Sequence, residues 1–419
     1  MIRIWQLLIL CGLLISRAAV AQSSPPPLNA NDWNFVLVQA FESEPDKGNN
    51  LSVVGLNHSL RFGQLLSSLT AGRLNQVKQV YALTLSGDGA NMGPLESIQP
   101  YAILNNLPVK VQKLSPGDAS TYNSPAYFVQ QILANQARGT YVMAMPLSMM
   151  SQIVQSLTGS SIAIQTTNQY LVVSGTNQPL SVSLYDDQIA KVSNYPRIPL
   201  PARSACSQAP VTLQAKVPPG LRPYASQSVY LIRHVEAHPS GNFENGNYVC
   251  QGQWRALGAN DILLEKMGKR KPDYIYTSNP LNIIDCGAAC SYIRPSLTVA
   301  PFAIQHGIPL TLAAFQWQDA PDLAHALFDQ DSYYFKHPAS GSSILVGWEH
   351  DHIEKAVKYL LASVYQNPEV AAKVPAWNFD DYDTIWELFT DKDGNLTFKN
   401  SCEGIPTSAL PSTCPAFFQ

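Results

Sequence analysis

The stretches VYLIRHVEAHP (Val229–Pro239) and SSILVGWEHDH (Ser342–His352) decide the fold of this chain. Each begins with a short apolar run, which predicts a buried strand, and each run ends in a polar motif that contains a histidine. Because parallel strands of an α/β sheet place their carboxyl ends at one edge, we expect His234 and His350 to share a site there. Arg233 precedes the first histidine, and this pair suits a phosphate: the imidazole is a nucleophile and the guanidinium binds phosphate oxygens.

The residues around these stretches alternate between predicted strands and helices. PDYIYTSNP (272–280) predicts another buried strand, and AACSYIRPSLTVAPFAIQHGIPL (288–310) predicts a helix followed by a strand. Strands that alternate with helices along a chain are typical of a parallel sheet covered on both faces. The sequence therefore predicts an α/β fold with three layers, α/β/α.

A Pro-rich stretch without a sustained hydrophobic period, Tyr195 to Tyr224, divides the chain. It separates two halves of similar length, each with its own predicted strands and helices. The predicted organisation is a signal peptide at 1–21, a first α/β domain at 22–200, a connection at 201–224 and a second α/β domain at 225–419.

The first half repeats the order of strands and helices predicted for the second, which indicates an internal duplication of one α/β unit. In this alignment SVVGLNHSL (52–60) takes the place of VYLIRHVEA, Leu147 stands where the second half has His350, and Gln99 stands where it has Arg294. The first copy would then lack catalytic residues, and we predict a structural or lid-like role for it. The alternative is that two unrelated α/β domains share such an order.

The N-terminus has the features of a secretory signal peptide. A basic start is followed by a short apolar run and by Ala19-Val20-Ala21, which fits cleavage after Ala21. A membrane anchor is the alternative, but the apolar run is short for a bilayer span. We therefore expect an exported chain, secreted or periplasmic, with no membrane contact after cleavage.

Six of the seven cysteines follow the predicted signal peptide, and an even number in an exported chain favours disulfides over free thiols. A zinc site is the weaker interpretation because no C-x-x-C pair occurs. Sequence leaves several pairings open. The simplest set is Cys286–Cys290, Cys402–Cys414 and Cys206–Cys250.

The charge of the chain argues against nucleic acid as a partner. Charged residues make up 14% of the sequence and the formal net charge is -3, with no Lys/Arg block. Nucleic-acid binding needs a concentrated basic face. The expected partner is instead a small-molecule phosphate ester.

The motifs of the second half resemble those of the histidine phosphatase superfamily, whose fold is called phosphoglycerate-mutase-like. The resemblance covers roughly Val229–Phe398 and its motifs occur in the family's order. They are LIRHVEAHP, CQGQWRAL, YIYTSNP with Ser278, YIRPSLTVAPFA with Arg294 and Thr298, VGWEHDHI, and the tail segment NFDDYDTIWEL.

The resemblance implies a phosphate pocket. His234 would accept the phosphoryl group, Arg233 and Arg294 would bind its oxygens, and His350 would donate a further hydrogen bond. Ser278 is an additional candidate for substrate binding. Because the arginines would neutralise the phosphoryl charge, no metal or other cofactor is expected.

The general acid, which must protonate the leaving oxygen, has three candidates. The resemblance favours Asp351 over Glu349 and Glu236, and Glu236 is also a candidate for substrate binding. Val235 stands where the family usually has glycine, and its β-branched side chain would crowd an approaching phosphate. The resemblance thus implies an exported phosphomonoester hydrolase with a phosphohistidine intermediate. The alternative is a non-catalytic protein that binds a phosphate ligand at a decayed site.

Overall fold

The computed structural model describes residues 28–44, 50–85, 91–115, 121–237, 245–286, 290–329, 332–335 and 341–417. The predicted signal peptide lies outside these residues. The elements of the first half are β1 (Trp33–Gln39), α1 (Val53–Thr70), β2 (Val77–Leu85), α2 (Gly93–Leu104), β3 (Val109–Leu114), α3 (Pro125–Asn135), β4 (Gly139–Met145), α4 (Leu147–Thr158), β5 (Gln169–Gly175) and β6 (Ser181–Asp186). Those of the second half are β7 (Thr212–Ala215), β8 (Ser228–Arg233), α5 (Cys250–Gly258), α6 (Asn260–Lys266), β9 (Tyr274–Thr277), β10 (Ile283–Ile284), β11 (Cys290–Ser291), α7 (Arg294–His306), β12 (Leu310–Leu312), α8 (Ala320–Phe328), β13 (Ser343–Trp348), α9 (His350–Tyr359), α10 (Pro368–Ala371), β14 (Thr384–Thr390) and β15 (Leu396–Cys402).

Each half is built on one mixed sheet, and the two sheets share a strand order. The first sheet is ordered β3-β2-β4-β1-β5-β6, and the second is ordered β12-β9-β13-β8-β14-β15 with β7 added at its edge. In both, the first four strands are parallel and the following strands are antiparallel. Strand β1 thus corresponds to β8, and β4 corresponds to β13. The predicted α/β class is confirmed, and the shared order supports the predicted duplication.

Both faces of each sheet are covered by helices because successive strand residues point to opposite sides. In β8, Val229 and Leu231 belong to the apolar cluster that includes α8 and α9. Tyr230 and Ile232 belong to the cluster that includes α7. Strand β1 alternates in the same way between α1–α2 and α3–α4. The three-layer α/β/α arrangement therefore occurs in both halves.

One apolar cluster joins the two halves. It contains residues of α1 and α2, such as Tyr101, together with residues of α5 and α7, such as Leu297. Polar contacts accompany it: Gln99 Nε2 donates to Asn247 Oδ1 at 3.2 Å, and the Tyr248 hydroxyl donates to Gln99 Oε1 at 3.2 Å. The halves therefore share part of their core.

Part of the predicted alignment between the halves is wrong. SVVGLNHSL leads into helix α1, and the strand that corresponds to VYLIR is β1. Helices α2 and α7 begin at Gly93 and Arg294, and each contains a proline at the same position, Pro100 and Pro301. Gly93, and not Gln99, therefore corresponds to Arg294. The error arose because the alignment matched Ile-x-Pro in both halves instead of the prolines inside the helices.

Leu147 does correspond to His350, since each residue begins the helix that follows β4 or β13. The segment predicted as a connection contributes an additional strand, because β7 pairs with β15 in the second sheet. The domain boundaries themselves stay a prediction.

Three disulfides link the second half, and two of the three predicted pairs are wrong. Cys286–Cys290 is present as predicted. The others are Cys206–Cys402 and Cys250–Cys414. The pairing of β7 with β15 brings the chain before β7 close to the end of β15, where the backbone of Ser204 donates to the carbonyl of Gly404 at 2.8 Å.

In the part of the chain that the structure describes, no helix is both long enough and apolar enough to span a bilayer.

Candidate active site

The carboxyl edge of the second sheet carries five of the predicted site residues. Arg233 is the last residue of β8, and His234 directly follows it. Ser278 directly follows β9, and His350 is the second residue after β13. Arg294 is the first residue of α7. All five are buried, with at most 7% of their surface exposed. Parallel strands bring them to one edge, as the sequence predicted.

Two tyrosine rings link both arginines to His234. The Arg233 guanidinium lies 4.0 Å from the ring centroid of Tyr382, and this ring is centred 6.1 Å from that of His234. The Arg294 guanidinium lies 4.9 Å from the centroid of Tyr292, whose ring is centred 6.2 Å from His234. The two cations therefore approach the same imidazole through different aromatic neighbours.

Phe379 links Arg233 to the second histidine. Its ring centroid lies 5.6 Å from the guanidinium of Arg233 and 5.7 Å from the ring of His350. One Arg233 nitrogen, Nη1, also donates to the carbonyl oxygens of Phe379 and, at 3.2 Å, of Asp381. The segment before β14 thus holds Arg233 in place.

His234 has the electronic state of a nucleophile. Its Nδ1 lies 2.9 Å from the carbonyl oxygen of Val235, and because a carbonyl only accepts, Nδ1 carries the proton. The lone pair of the neutral ring is then on Nε2. Burial lowers the pKa of His234 well below its ordinary value, and the charges of Arg294 and Arg233 lower it further. The ring is therefore neutral near pH 7.

Several donors around His234 lack protein partners. Nε of Arg233, Nε and Nη1 of Arg294 and Oγ of Ser278 are buried without a hydrogen-bond partner among the described residues. Burial also lowers the pKa of Arg233, although an arginine stays charged. Buried donors are normally satisfied, and leaving a charged one unpaired is costly. An anion with several oxygens would satisfy all of them.

Glu349 is engaged by two histidines. Oε1 lies 2.5 Å from Nδ1 of His350, and Oε2 lies 2.5 Å from Nδ1 of His352 and accepts its backbone N–H at 3.0 Å. Burial raises the pKa of Glu349, but the close ion-pair contact with His350 and the hydrogen bond from His352 outweigh it and hold the pKa well below its usual range. Glu349 is therefore ionised, and both of its carboxylate oxygens contact histidines.

Sequence reasoning did not distinguish His352 from the other histidines of the chain. Its spacing was the available indication, because it lies three residues after Glu349, which caps the N-terminus of α9.

Asp351 is accessible at the start of α9. Its side chain is 61% exposed, and its Oδ1 lies 4.0 Å from Nε2 of His350. Its other oxygen lies 3.9 Å from Nζ of the exposed Lys355. Of the three predicted acid candidates, Asp351 is the one next to His350 that stays open to solvent.

Glu236 belongs to a buried ion pair, which argues against its predicted contact with substrate. Its side chain is fully buried and lies against Arg255, with Nη2 2.6 Å from Oε1 and Nε 3.1 Å from Oε2. The Thr407 hydroxyl donates to Oε1 at 2.9 Å. Arg255 also binds Glu403 at 2.6 Å. We therefore leave Glu236 out of the site, since its oxygens are already bonded.

Val235 does not project into the site as the sequence suggested. Its side chain packs in the apolar cluster that joins the two halves. Its backbone N–H donates to the hydroxyl of Thr298 at 3.0 Å, and this hydroxyl donates to the carbonyl of Arg294 at 2.8 Å. Thr298 thus ties the end of β8 to the start of α7.

Within the described ranges, no group of three or more His, Cys, Asp or Glu side chains is placed to hold a metal ion.

These contacts define the class of the site: two buried guanidinium groups with unpaired donors beside a buried imidazole, a set of groups that suits an oxyanion. The chain is similar to solved structures of three proteins. The first is a putative phosphohistidine phosphatase SixA from Agrobacterium tumefaciens, with 19% identity over 40% of this chain and 92% of that chain and a TM-score of 0.26. The second is a protein histidine phosphatase SixA complexed with tungstate, with 16% identity over 37% of this chain and 97% of that chain and a TM-score of 0.29. The third is a phosphoglycerate mutase from Plasmodium falciparum, with 14% identity over 46% of this chain and 100% of that chain and a TM-score of 0.27.

All three are members of the superfamily that the sequence motifs resemble. A scan against protein-family models gives no match, and neither does a search of curated proteins. All three TM-scores are below 0.5, so these similarities say nothing about function, and we infer the function from the site residues.

Proposed function

We propose that the protein is a phosphomonoester hydrolase and that His234 is its nucleophile. The observation that carries the proposal is the contrast between equivalent positions of the two halves. His234 N donates to the carbonyl of Trp348 at 2.8 Å, and Ala40 N donates to that of Met145 at 2.8 Å, so Ala40 corresponds to His234. Gly93 corresponds to Arg294 and Leu147 corresponds to His350.

The same sheet and helices therefore form without these cationic groups. Burying arginine and histidine with unpaired donors costs free energy, so the second half carries them for a purpose other than folding. A phosphoryl group is the ligand that matches them, because it spreads negative charge over oxygens that the fork of an arginine binds in pairs. The first half is then a degenerate copy with a structural role.

In the first step, Nε2 of His234 attacks phosphorus, the ester P–O bond breaks, and a carboxylic acid protonates the leaving oxygen. Arg233 and Arg294 bind the non-bridging oxygens, and His350 adds a donor. In the second step, water attacks the phosphohistidine, the acid recovers its proton from this water, and inorganic phosphate leaves. No charge develops that these residues cannot neutralise.

Asp351 is the proposed general acid. Glu349 contacts two histidines, and Glu236 is bonded to Arg255, so the oxygens of both already have partners. Asp351 is exposed beside His350, where a leaving group would depart toward solvent.

A non-catalytic phosphate-binding protein is the second candidate. The closure of the pocket favours it, since Arg233, His234 and Arg294 are each at most 5% exposed and Arg233 is bonded to backbone carbonyls. A protein that sequesters phosphate needs such a pocket but no accessible acid.

A metal-free assay with an aryl phosphate separates the two candidates. We expect hydrolysis by the wild type, loss to background in His234→Ala, and unchanged activity in His306→Ala, a control on the far end of α7. Acid-labile, base-stable phosphate should be trapped on the wild type. Equal activity in wild type and His234→Ala would refute the proposal. Saturable phosphate binding without turnover of a broad ester panel would support the second candidate.

We further propose that the protein is exported and that its substrate is a small-molecule ester. The three disulfides support export, because such bonds persist in oxidising compartments. The mature chain should begin near Gln22. Intact-mass measurement after alkylation, with and without reduction, tests this, and six free thiols in the native protein would contradict it.

A further inference from the structure

A surface pocket is lined by α8, by the segment that follows β12 and by the segment between α8 and β13. It has a cavity volume of about 300 Å³, at the lower end of small-molecule sites. The side chains that matter for its chemistry are Phe315, Tyr333, Tyr334, Asp322, His325 and Asp329. No lysine or arginine of the described residues lines it.

The aromatic rings of this pocket are held in place before any ligand binds. Tyr333 is 78% exposed and stacks on Tyr334, with ring centroids 4.2 Å apart and an interplanar angle of 28°. The Tyr333 hydroxyl donates to that of Tyr334 at 2.8 Å, and the Tyr334 hydroxyl accepts the backbone N–H of Ala314 at 2.9 Å. Tyr334 also packs edge-on against Tyr276 at 5.1 Å and Phe315 at 6.3 Å. Tyr333 is thus a fixed ring with one face in water.

Two carboxylates contribute negative charge to the pocket. Asp322 lies in the first turn of α8, and Asp329 directly follows that helix. Between them His325 is engaged on both sides, with Nδ1 3.8 Å from Asp329 and Nε2 3.1 Å from the Tyr359 hydroxyl. Two carboxylates together with exposed aromatic surface, without a lysine or arginine among the described lining residues, favour cations over anions.

We propose that this pocket binds an organic ammonium ion, with a quaternary ammonium group as its best ligand. A quaternary ammonium ion is weakly hydrated, so it loses little when it leaves water and gains from ring faces. The described acidic and histidine side chains of this pocket do not form a group placed to hold an inorganic metal ion. A neutral or anionic ligand would gain nothing from the carboxylates.

Calorimetric titration of the full protein with choline tests this proposal. The matched comparison is 3,3-dimethylbutan-1-ol, which has the shape of choline without its charge. We expect saturable binding of choline and binding of the alcohol at least about tenfold weaker. Tyr333→Ala should weaken choline binding about fivefold or more, as should Asp322→Asn, because each removes one attractive contact.

Tyr122→Ala is the control, since Tyr122 is another highly exposed tyrosine, 74% exposed, in the first half. It should leave choline binding unchanged, and so should His234→Ala, which makes the result independent of the proposed phosphatase activity. Equal affinity for choline and the alcohol would overturn the proposal, as would equal effects of Tyr122→Ala and Tyr333→Ala. Absence of saturable binding by folded protein would do the same.

Discussion

The two halves bury the same kind of polar cluster around different basic side chains. In the second half the basic side chain is Arg255 on α5, and in the first half it is His58 on α1. The carboxylates are Glu236 and Glu403 around Arg255, and Glu42 and Asp187 around His58. Asp187 directly follows the β5–β6 hairpin of the first sheet, and Glu403 directly follows the β14–β15 hairpin of the second. Because the cluster also exists in the half that lacks the proposed phosphate-binding residues, it belongs to the scaffold.

A hydroxyl bridge is shared in the same way. Ser97 accepts the backbone N–H of Phe41 at 3.0 Å and donates to the carbonyl of Gly93 at 2.7 Å, as Thr298 does between Val235 and Arg294. Scaffold contacts are thus common to both halves, whereas the groups that would hold a phosphate occur in one. The comparison separates residues that the fold needs from residues that only a ligand needs.

The largest effect should come from Arg255→Met. It leaves Glu236 and Glu403 buried without a counter-charge, so we expect the free energy of unfolding to fall by about 3–5 kcal/mol. Urea denaturation measures this. His58→Gln is the matched variant and should cost less, because Glu42 keeps Lys191 at 3.2 Å and the Thr167 hydroxyl. Equal decreases in the free energy of unfolding would mean that the two clusters stabilise the protein equally.

Arg294→Met should separate activity from stability. The rate of ester hydrolysis should fall by about 10²–10³-fold, because a preorganised donor to the phosphoryl oxygens is lost. The free energy of unfolding should stay level or rise, since the variant keeps the side-chain volume and removes a buried, unpaired charge. Steady-state kinetics and urea denaturation of the same preparation test both parts. A large loss of stability would place Arg294 with the scaffold instead.

Thr298→Val and Ser97→Ala form a matched pair on equivalent bridges. Each leaves one buried backbone N–H unpaired, so each should cost about 1–2 kcal/mol of stability. Hydrolysis should decrease only in Thr298→Val, because that bridge positions His234 and Arg294. If Ser97→Ala lowered the rate equally, the first half would take part in the reaction.

The smallest effect is a pH dependence that arises from His58 in the first half. Burial lowers the pKa of His58, but hydrogen bonds to Asp187 and Glu42 outweigh it and raise the pKa above its usual value. A raised pKa in the folded state stabilises the protein at low pH, and this contribution is lost as pH rises through the folded value.

Unfolding measurements from pH 6 to pH 9 on wild type and His58→Gln test this dependence. The stability difference between them should shrink as the pH rises. Arg255 itself stays charged over this range, so its own ionisation contributes no such trend. A difference that widens with pH would contradict the interpretation.

The strand ends of the second half were predictable from sequence because their information is local. An apolar run followed by a histidine identifies β8 and β13, and parallel topology then brings His234 and His350 to one edge. The unpaired donors and the engaged state of Glu349 were not predictable, since they depend on contacts across the site.

Non-local contacts explain the sequence-based errors. Glu236 lies two residues after His234, yet its partner Arg255 lies in the next helix, and only the folded packing shows that the Glu236 carboxylate is bonded to Arg255. The disulfide pairs depend on β7 reaching β15 and on the C-terminal segment reaching α5, where the Trp254 indole donates to the carbonyl of Thr413 at 2.8 Å. Neither contact has a local pattern.

The disulfide arrangement has a consequence for biosynthesis. Cys250 can form its native disulfide only after Cys414, 164 residues later, has been synthesised. Cys206 can do so only after Cys402, 196 residues later, has been synthesised. At ordinary elongation rates the emerging thiols stay unpaired for about 10–40 s. During that interval the native partners of Cys206 and Cys250 are absent, whereas Cys286 and Cys290 are already present. A bond from Cys206 or Cys250 to any of these early cysteines would be non-native, and only thiol–disulfide exchange would correct it.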